Sequence, residues 1–269
     1  MYEEHIRAAA RSMAENMQRS PVPMYGKGLR LPDKGAVIGL LKEIRRLVFP
    51  AYYGDPELMT LQAVRLIRQC PVLAAPQTAS GQMLALDIAQ GALDLREKEI
   101  LPLSFTMSRE PALREESYQT AARQIEAFLQ KGLDVAMVNL GDVSVFATAY
   151  YILERIREDG FETLMAPGVT SFSAVAARLG WSLTEMETPL HIIPASADLD
   201  RALQLPGTKV LMKSGSAIRE TVHALERAGL LDRAALVADC GLPTEQVYRD
   251  LCELPENLSY FATIIVQGA

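Results

Sequence analysis

The sequence has few of the residues from which metal centres, disulfide frameworks and membrane spans are built. Its 269 residues include 3 cysteines and 3 histidines. The histidines are far apart and match no zinc spacing, so we expect no metal site. The cysteines are odd in number and irregularly spaced, which predicts reduced thiols and a cytoplasmic protein. No apolar run approaches the roughly 20 residues of a membrane helix, and the first residues carry no secretory signal.

Positive charge is also in short supply. Lysine and arginine number 27 against 33 acidic residues, which gives a net charge of -6 and a pI of about 5.3. A broad surface of this sign repels nucleic acid, so we expect no nucleic-acid partner. The sequence also lacks a Ser-His-Asp set and a phosphate loop ending in Gly-Lys-Ser/Thr, so it identifies no catalytic residue.

Apolar runs alternate with helical patterns along much of the chain. Runs such as VLAAP and LDVAMVNLGD alternate with amphipathic segments such as EPALREESYQTAARQIEAFLQKG, which predicts a parallel sheet with helices on both faces. After about residue 186, five strand candidates with one clear helix among them predict a mixed sheet. Residues 1–48 have helical spacing. We therefore predict a helical segment over residues 1–50, a parallel-sheet α/β domain over 51–186 and a mixed-sheet α/β domain over 187–269.

The strongest local signal is the stretch VAMVNLGDVSVFATAYYILERI, in which a strand ends at Gly141-Asp142 and a helix soon begins. In a parallel sheet this turn lies at the carboxyl edge, where ligands bind. Gly141 would let a ligand approach the backbone, and Asp142 could accept from an amine or from ribose hydroxyls. The alternative, with similar weight, is that Gly141 only makes a turn and Asp142 only caps the helix.

A second strand-to-helix turn occurs in LMAPGVTSFSAVAARLG. The turn is at Pro167-Gly168, and a helix is expected to start at Thr170-Ser171. These hydroxyls could contact a ligand or simply cap the helix. Two such turns with small polar residues favour a shared pocket.

Four other positions give weaker signals. Asp55 and Glu57 could be acidic residues favoured by the dipole of a first helical turn. His191, within a strand, fits a hydrogen-bonded and half-buried side chain better than a base. Lys213 ends a strand, where it could reach a ligand or remain solvated.

Seven segments, taken in order, resemble the tetrapyrrole methylases, which transfer methyl groups from S-adenosylmethionine. They are GDPELMTLQAVRLI, VLAAP, LSFTMSRE, LGDVSVFATAYYILERI, APGVTSFSAVAARLGWSLTE, LHIIPA and VADCGLPTEQVYRDL. The resemblance covers about residue 53 to the end. Within the family, the pair GDxSVxxTxxYI and PGVTSFxAxAARLG is most similar to the precorrin-2 C20-methyltransferase branch.

The resemblance implies two α/β domains with S-adenosylmethionine in the cleft between them, and a homodimer. Six positions match the family's cofactor contacts: Gly141, Asp142, Val145, Thr170, Ser171 and Met212. The first three would line the methionine and ribose side, the next two would contact the cofactor from the second loop, and Met212 would lie near the adenine. Asp55 is assigned to substrate binding.

The chain departs from the family pattern in two places. Val143 stands where the family usually has proline. The family also begins with a strand and a G-x-G-x-G-D-P loop, of which this chain keeps only Gly54-Asp55-Pro56. Upstream, residues 1–53 resemble the helical N-terminal segment of bacterial serine acetyltransferases, which suggests a fusion. We therefore expect an incomplete or distorted first sheet near residues 48–54, and weak methyl transfer.

Three functional hypotheses follow. The first is an S-adenosylmethionine-dependent methyltransferase acting at C20 of precorrin-2 or its cobalt form, in cobalamin biosynthesis. The second is a tetrapyrrole methylase for another ring carbon. The third is a catalytically impaired fusion that only binds a ligand or serves as a scaffold.

Overall fold

The computed structural model describes residues 46–106, 108, 110–255 and 258–268. Residues 1–45, which make up most of the helical segment predicted over residues 1–50 and most of the segment that resembles serine acetyltransferases, lie outside the described residues. The described chain forms two five-stranded sheets and one two-stranded sheet. This confirms the α/β fold class. In the part of the chain that the structure describes, no helix combines the length and apolar character needed to cross a bilayer.

The first sheet is entirely parallel. In chain order, the strands of this region are β1 (Arg46–Phe49), β2 (Ala51–Tyr52), β3 (Val72–Gln77), β4 (Glu99–Ser104), β5 (Val135–Met137), β6 (Asn139–Leu140) and β7 (Glu162–Met165). The sheet order is β4-β3-β5-β1-β7, and β2 pairs separately with β6. The carboxyl ends of the parallel strands therefore meet along one edge, as the sequence predicted.

Five helices follow the strands of this region. They are α1 (Leu61–Gln69), α2 (Leu84–Ala92), α3 (Pro111–Leu129), α4 (Thr148–Glu158) and α5 (Ser171–Leu179). The alternation of side chains along β1 explains the two layers, because successive strand residues point to opposite faces. Leu47 and Phe49 pack in the cluster that contains residues of α3 and α4, whereas Val48 packs with residues of α1 and α2.

The structure of residues 46–52 differs from what the sequence led us to expect. Residues 46–48 were predicted to be helical and the sheet to be incomplete near residues 48–54, but β1 occupies a central position between β5 and β7. Pro50 has no N–H to give a ladder, so the strand breaks there. It resumes at Ala51, which pairs with Asn139. The expected distortion is thus found at Pro50, beyond which the chain pairs in a separate two-stranded sheet. The expected gap in the five-stranded sheet is not found, because β1 lies between β5 and β7.

The second sheet is mixed, as predicted. Its strands are β8 (Leu190–Pro194), β9 (Thr208–Met212), β10 (Ala234–Ala238), β11 (Gln246–Tyr248) and β12 (Ala262–Val266), and its helices are α6 (Leu199–Ala202) and α7 (Ile218–Arg227). The order is β11-β10-β12-β9-β8, with only β8 and β9 parallel to each other. The predicted division at residue 186 stays a prediction, although α5, which precedes it, packs on this second sheet through Phe172 and Val175.

Two glycines bring loops of the two sheets into backbone contact. Gly54 has a φ of +63°, and a Cβ built on it would lie 2.0 Å from the Cys240 carbonyl oxygen. Gly241 has a φ of +81°, and a Cβ there would lie 2.8 Å from the Asp55 nitrogen. A side chain at either position would push the loops apart. The retained Gly-Asp-Pro sequence therefore has a packing role that does not depend on the missing upstream glycines.

We predict that Gly54→Ala destabilises the fold more than its backbone conformation alone would require. A left-handed non-glycine residue costs about 1–2 kcal/mol, and overpacking adds about 1–3 kcal/mol. Gly229→Ala is the matched control, because Gly229 has a similar φ of +66° and nothing lies within 4 Å of its Cβ position. Urea unfolding should show the larger loss for Gly54→Ala. Equal losses in the two variants would contradict the packing role.

Candidate functional site

The Asp142 carboxylate joins the two strand-to-helix loops. Its Oδ2 accepts a hydrogen bond from the Gly168 N–H at 2.8 Å. Its Oδ1 accepts from the N–H of Ser144 at 2.9 Å and from the Ser144 hydroxyl. The carboxylate therefore connects the loop after β6 with the loop after β7, and it is not a helix cap, because α4 begins at Thr148 with Ala147 as its N-cap.

Hydrogen bonding also sets the ionisation of Asp142. Partial burial acts to raise the pKa of its carboxyl group. The hydrogen bonds from the Ser144 hydroxyl, the Gly168 N–H and the Ser144 N–H outweigh burial and hold the pKa below its usual range. Asp142 is consequently ionised at neutral pH, and it presents a fixed negative charge at the sheet edge.

Gly168 allows the two loops to touch. A Cβ on this residue would lie 2.5 Å from the Gly141 carbonyl oxygen and 2.6 Å from the Ala51 carbonyl oxygen. Any other residue would therefore separate the loops. Gly141 differs, because its φ of +80° favours glycine while the closest atom to its Cβ position, on the Tyr53 ring, is 3.8 Å away. Its backbone has room on that side.

The two hydroxyl residues at the start of α5, Thr170 and Ser171, have different hydrogen bonding. Thr170 is the N-cap, and its Oγ1 accepts from the Ser173 N–H at 3.3 Å. Ser171 is 5% exposed, and its hydroxyl has no hydrogen-bond partner among the residues that the structure describes. Burying a hydroxyl without a hydrogen-bond partner costs free energy, which distinguishes Ser171 from the capping residue Thr170.

Asn139 is a second buried polar group that the sequence interpretation missed. It lies on β6, two residues before Gly141, and is 7% exposed. Its Nδ2 has no partner. The available signal was one amide side chain within the apolar run VAMVNL. Asn139 and Ser171 thus leave polar hydrogen-bonding capacity at both strand-to-helix loops.

Val145 and Met212 come together through one hydrophobic cluster. Both side chains are partly buried against it, and its core includes Tyr53, Phe172 and Val210. Met212 ends β9 of the second sheet, whereas Val145 lies in the loop after Asp142. The structure therefore brings the predicted second-sheet residue to the same region as the first-sheet loop.

The Lys213 side chain, which follows a strand of the second sheet, contacts a loop that follows β6. Its Nζ donates to the Phe146 carbonyl oxygen at 3.0 Å. This hydrogen bond lies next to the predicted cofactor contacts, because Lys213 follows Met212 and Phe146 follows Val145. The sequence offered Lys213 only as a weaker candidate, because nothing local indicates this contact.

The remaining sequence candidates have structural partners. Asp55 caps the 3₁₀ turn Pro56–Leu58, and its Oδ1 accepts from the Glu57 N–H at 2.8 Å. Glu57 itself is exposed. The Nε2 of His191 lies 2.8 Å from the Pro206 carbonyl oxygen, which fits the hydrogen-bonded interpretation. Among the described residues, no group of acidic, cysteine or histidine side chains could hold a metal ion.

A narrow pocket opens where the two sheets meet. It is lined from both sides by Tyr53, Gly54, Leu84, Ile88, Leu140, Cys240, Leu242 and Phe261. Tyr53 borders both this pocket and the backbone of Gly141. The ring therefore lies at the meeting point of the pocket and the joined loops.

Comparison with known proteins identifies relatives along most of the chain. The model of the family described as tetrapyrrole (corrin/porphyrin) methylases matches residues 53–255. The cobalt-precorrin-2 C(20)-methyltransferase of Salmonella typhimurium is 33% identical over 219 residues, which is 79% of this chain and 92% of that protein. The precorrin-2 C(20)-methyltransferase of Sinorhizobium sp is 28% identical over 229 residues, covering 80% of this chain and 91% of that protein.

The fold also resembles a solved methyltransferase. The uroporphyrin-III-C-methyltransferase from Thermus thermophilus aligns with a TM-score of 0.59 at 27% sequence identity. The alignment covers 83% of this chain and 92% of that chain. The two-sheet architecture is therefore common to this chain and that enzyme.

We predict that Asp142→Asn lowers the free energy of unfolding at pH 7. Hydrogen bonds to a charged group contribute about 1.5–3 kcal/mol, and partial exposure reduces this to about 1–2 kcal/mol. The folded-state pKa is depressed, so this stabilisation is present above the unfolded aspartate pKa of about 3.9. It is lost as the pH falls through the lower folded-state value.

Urea unfolding of Asp142→Asn and of the unsubstituted chain at pH 7 and at acid pH measures this linkage. The difference in unfolding free energy should shrink as the solution is acidified. Asp94→Asn serves as the control, because the exposed Asp94 carboxylate accepts from Arg96, two residues along the chain, and therefore joins no distant loops. A difference that is the same at both pH values would show that the charge of Asp142 does not join the loops.

Proposed function

The chain belongs to the tetrapyrrole (corrin/porphyrin) methylase family, and we propose that it is an S-adenosylmethionine-dependent C-methyltransferase acting at C20 of precorrin-2 or cobalt-factor II. This reaction belongs to cobalamin biosynthesis. The observation that carries the proposal is the junction of two strand-end loops at Gly141 and Gly168, with the unpartnered buried hydroxyl of Ser171 beside it.

The residues at this junction fit a methyl donor with polar and apolar parts. The buried Ser171 Oγ and Asn139 Nδ2 have no hydrogen-bond partner within the described part of the chain. Gly141 leaves its backbone approachable. Val145 and Met212 supply apolar contact from the two sheets. These properties support the cofactor-binding assignment of the residues taken from the family pattern.

The donor supplies an electrophilic methyl group, and the protein's task is to hold that group against a nucleophilic ring carbon. Correct positioning of two reactants can contribute up to about 7–11 kcal/mol to the reduction of a barrier. The joined loops fix the donor side, because Asp142 prevents the Gly141 and Gly168 segments from separating. No side chain is assigned as a catalytic base.

The C20 position rests on the relatives. The names of the Salmonella and Sinorhizobium proteins specify C20 methylation of precorrin-2 or its cobalt form. These alignments span nearly the whole of each relative, which favours this branch over a methylase for another ring carbon. Asp55 remains the assigned substrate contact, and one of its carboxylate oxygens is occupied by the Glu57 N–H.

Tyr53 favours a second candidate, in which the chain binds the cofactor but transfers methyl groups slowly. The Tyr53 side chain is 7% exposed and packs within the cluster that borders Val145 and Met212. The family keeps a glycine-rich loop in this region. The ring therefore occupies space beside Gly141 that a substrate would use.

The finer features of the assignment have separate support. A homodimer is favoured by exposed apolar side chains on α3 and α4: Leu113, Tyr150 and Tyr151. A cytoplasmic location agrees with the small number and irregular spacing of the cysteines. The resemblance of residues 1–53 to serine acetyltransferases favours a fusion, in which the end of that segment forms β1 and β2.

We predict that Ser171→Ala weakens S-adenosylmethionine binding without lowering stability. The hydroxyl makes no hydrogen bond to the described residues, so we expect its removal to cost the fold little, whereas a bound cofactor would lose a partner. Calorimetry should show a fall in affinity of about tenfold. Asp198→Ala is the control, because it removes the N-cap of α6, where the Asp198 carboxylate accepts from the Arg201 N–H. That variant should lose about 0.5–2 kcal/mol of stability and keep its affinity. Unchanged affinity in Ser171→Ala would remove this residue from the site.

We further predict a singly methylated product when the chain is given precorrin-2 and S-adenosylmethionine. Mass spectrometry would report the added methyl group, and NMR of isotopically labelled product would locate it at C20. Methylation at another carbon would support the alternative enzyme of the same family. Cofactor binding without product would support the impaired candidate.

A further inference from the structure

Lys213, the residue that follows β9, has a backbone conformation that is unusual for lysine. Its φ is 60°, in the left-handed region that a long side chain seldom adopts. Phe146, whose carbonyl oxygen accepts its hydrogen bond, has a φ of 48°. Strained non-glycine residues concentrate at ligand sites, because the surrounding structure must hold them in place. Here the two partners of one contact between the sheets are both strained.

The surroundings of Lys213 fix its position. The adjacent Ser214 is fully buried, and Gly215 packs so closely that a Cβ on it would lie 2.2 Å from the Ser259 carbonyl oxygen. Beyond Phe146, the first-sheet loop continues back to Val145 and Asp142. The ammonium group is thus anchored from the second sheet and directed at the loop that carries the proposed cofactor site.

The charge of Lys213 is not neutralised within the described residues. No ion pair involves it there, and its partner is a neutral carbonyl oxygen, with the Phe146 ring centroid 6.0 Å from Nζ. Several other described cations have carboxylate partners, such as Arg155 with Glu115 and Arg178 with Glu245. Burial lowers the pKa of Lys213, so a carboxylate placed beside it would be especially favourable.

The substrate proposed above is a tetrapyrrole with several carboxylates, whereas the chain has a net charge of -6. Productive binding therefore requires a local cation near the methyl donor. We propose that Lys213 is that cation, and that it exchanges the Phe146 carbonyl oxygen for one carboxylate of the tetrapyrrole. This inference rests on the proposed function for its substrate, but it concerns a residue that the family pattern did not assign.

Two variants of Lys213 test the exchange. Lys213→Met keeps much of the side-chain length and removes the charge, whereas Lys213→Arg keeps the charge. Lys131→Met is the matched control, because Lys131 also lies over a phenylalanine ring, at 5.0 Å from the Phe128 centroid, on the segment that follows α3. The measurements are KM and kcat for precorrin-2, the Kd for S-adenosylhomocysteine, and the melting temperature.

We expect Lys213→Met to raise KM for precorrin-2 by about tenfold or more. The Kd for S-adenosylhomocysteine should stay within about twofold, since the donor side is held by Asp142. Lys213→Arg should recover most of the loss, and Lys131→Met should resemble the unsubstituted chain. If Lys213→Met instead weakens cofactor binding and melts lower while KM is unchanged, Lys213 is only a structural tie and the proposal is overturned.

Direct binding separates this proposal from the function on which it rests. Uroporphyrin, a stable polycarboxylate tetrapyrrole, is titrated by fluorescence, with coproporphyrin as a ligand that has fewer carboxylates. Weaker uroporphyrin binding by Lys213→Met, with a smaller loss for coproporphyrin, supports the carboxylate site even if no methylated product forms. Equal binding by the variant and the unsubstituted chain, or no binding by either, overturns it.

Discussion

The hydrogen bond between the Asp142 carboxylate and the Gly168 N–H determines the shape of the candidate site. It joins two loops whose strands, β6 and β7, belong to different sheets of the same region. The contact is possible because Gly168 has no side chain to separate its backbone from Gly141. Once the loops are joined, the start of α5 is fixed beside Gly141, and the buried Ser171 hydroxyl with it.

Close backbone approach also fixes the position of the second sheet relative to the first. Gly54 and Gly241 meet without side chains, and α5 carries apolar residues onto the second sheet. Met212 and Lys213, at the end of β9, consequently face the loop that follows Asp142. A site assembled in this way depends on short-range steric limits at a few glycines, and these glycines all lie at or after Gly54.

The sequence predicted the elements whose patterns are local. Apolar runs marked β3 and β5, and the turn residues Gly141 and Thr170 marked the two strand-to-helix loops. The prediction for β1 was wrong, because helical spacing continues into residues 46–49 and Pro50 interrupts the strand. That segment becomes a strand because β5 and β7 pair with it from distant positions. Contacts such as Lys213 with Phe146 also depend on tertiary structure, so no local pattern indicated them.

The central claim is that the joined loops form the methyl-donor site. A crystal structure of the chain with S-adenosylhomocysteine tests it most directly. The account predicts electron density for the ligand along Gly141, with the Ser171 hydroxyl within hydrogen-bond distance and Met212 in contact. Density elsewhere on the molecule, with Ser171 and Asn139 still unpartnered, would contradict the account.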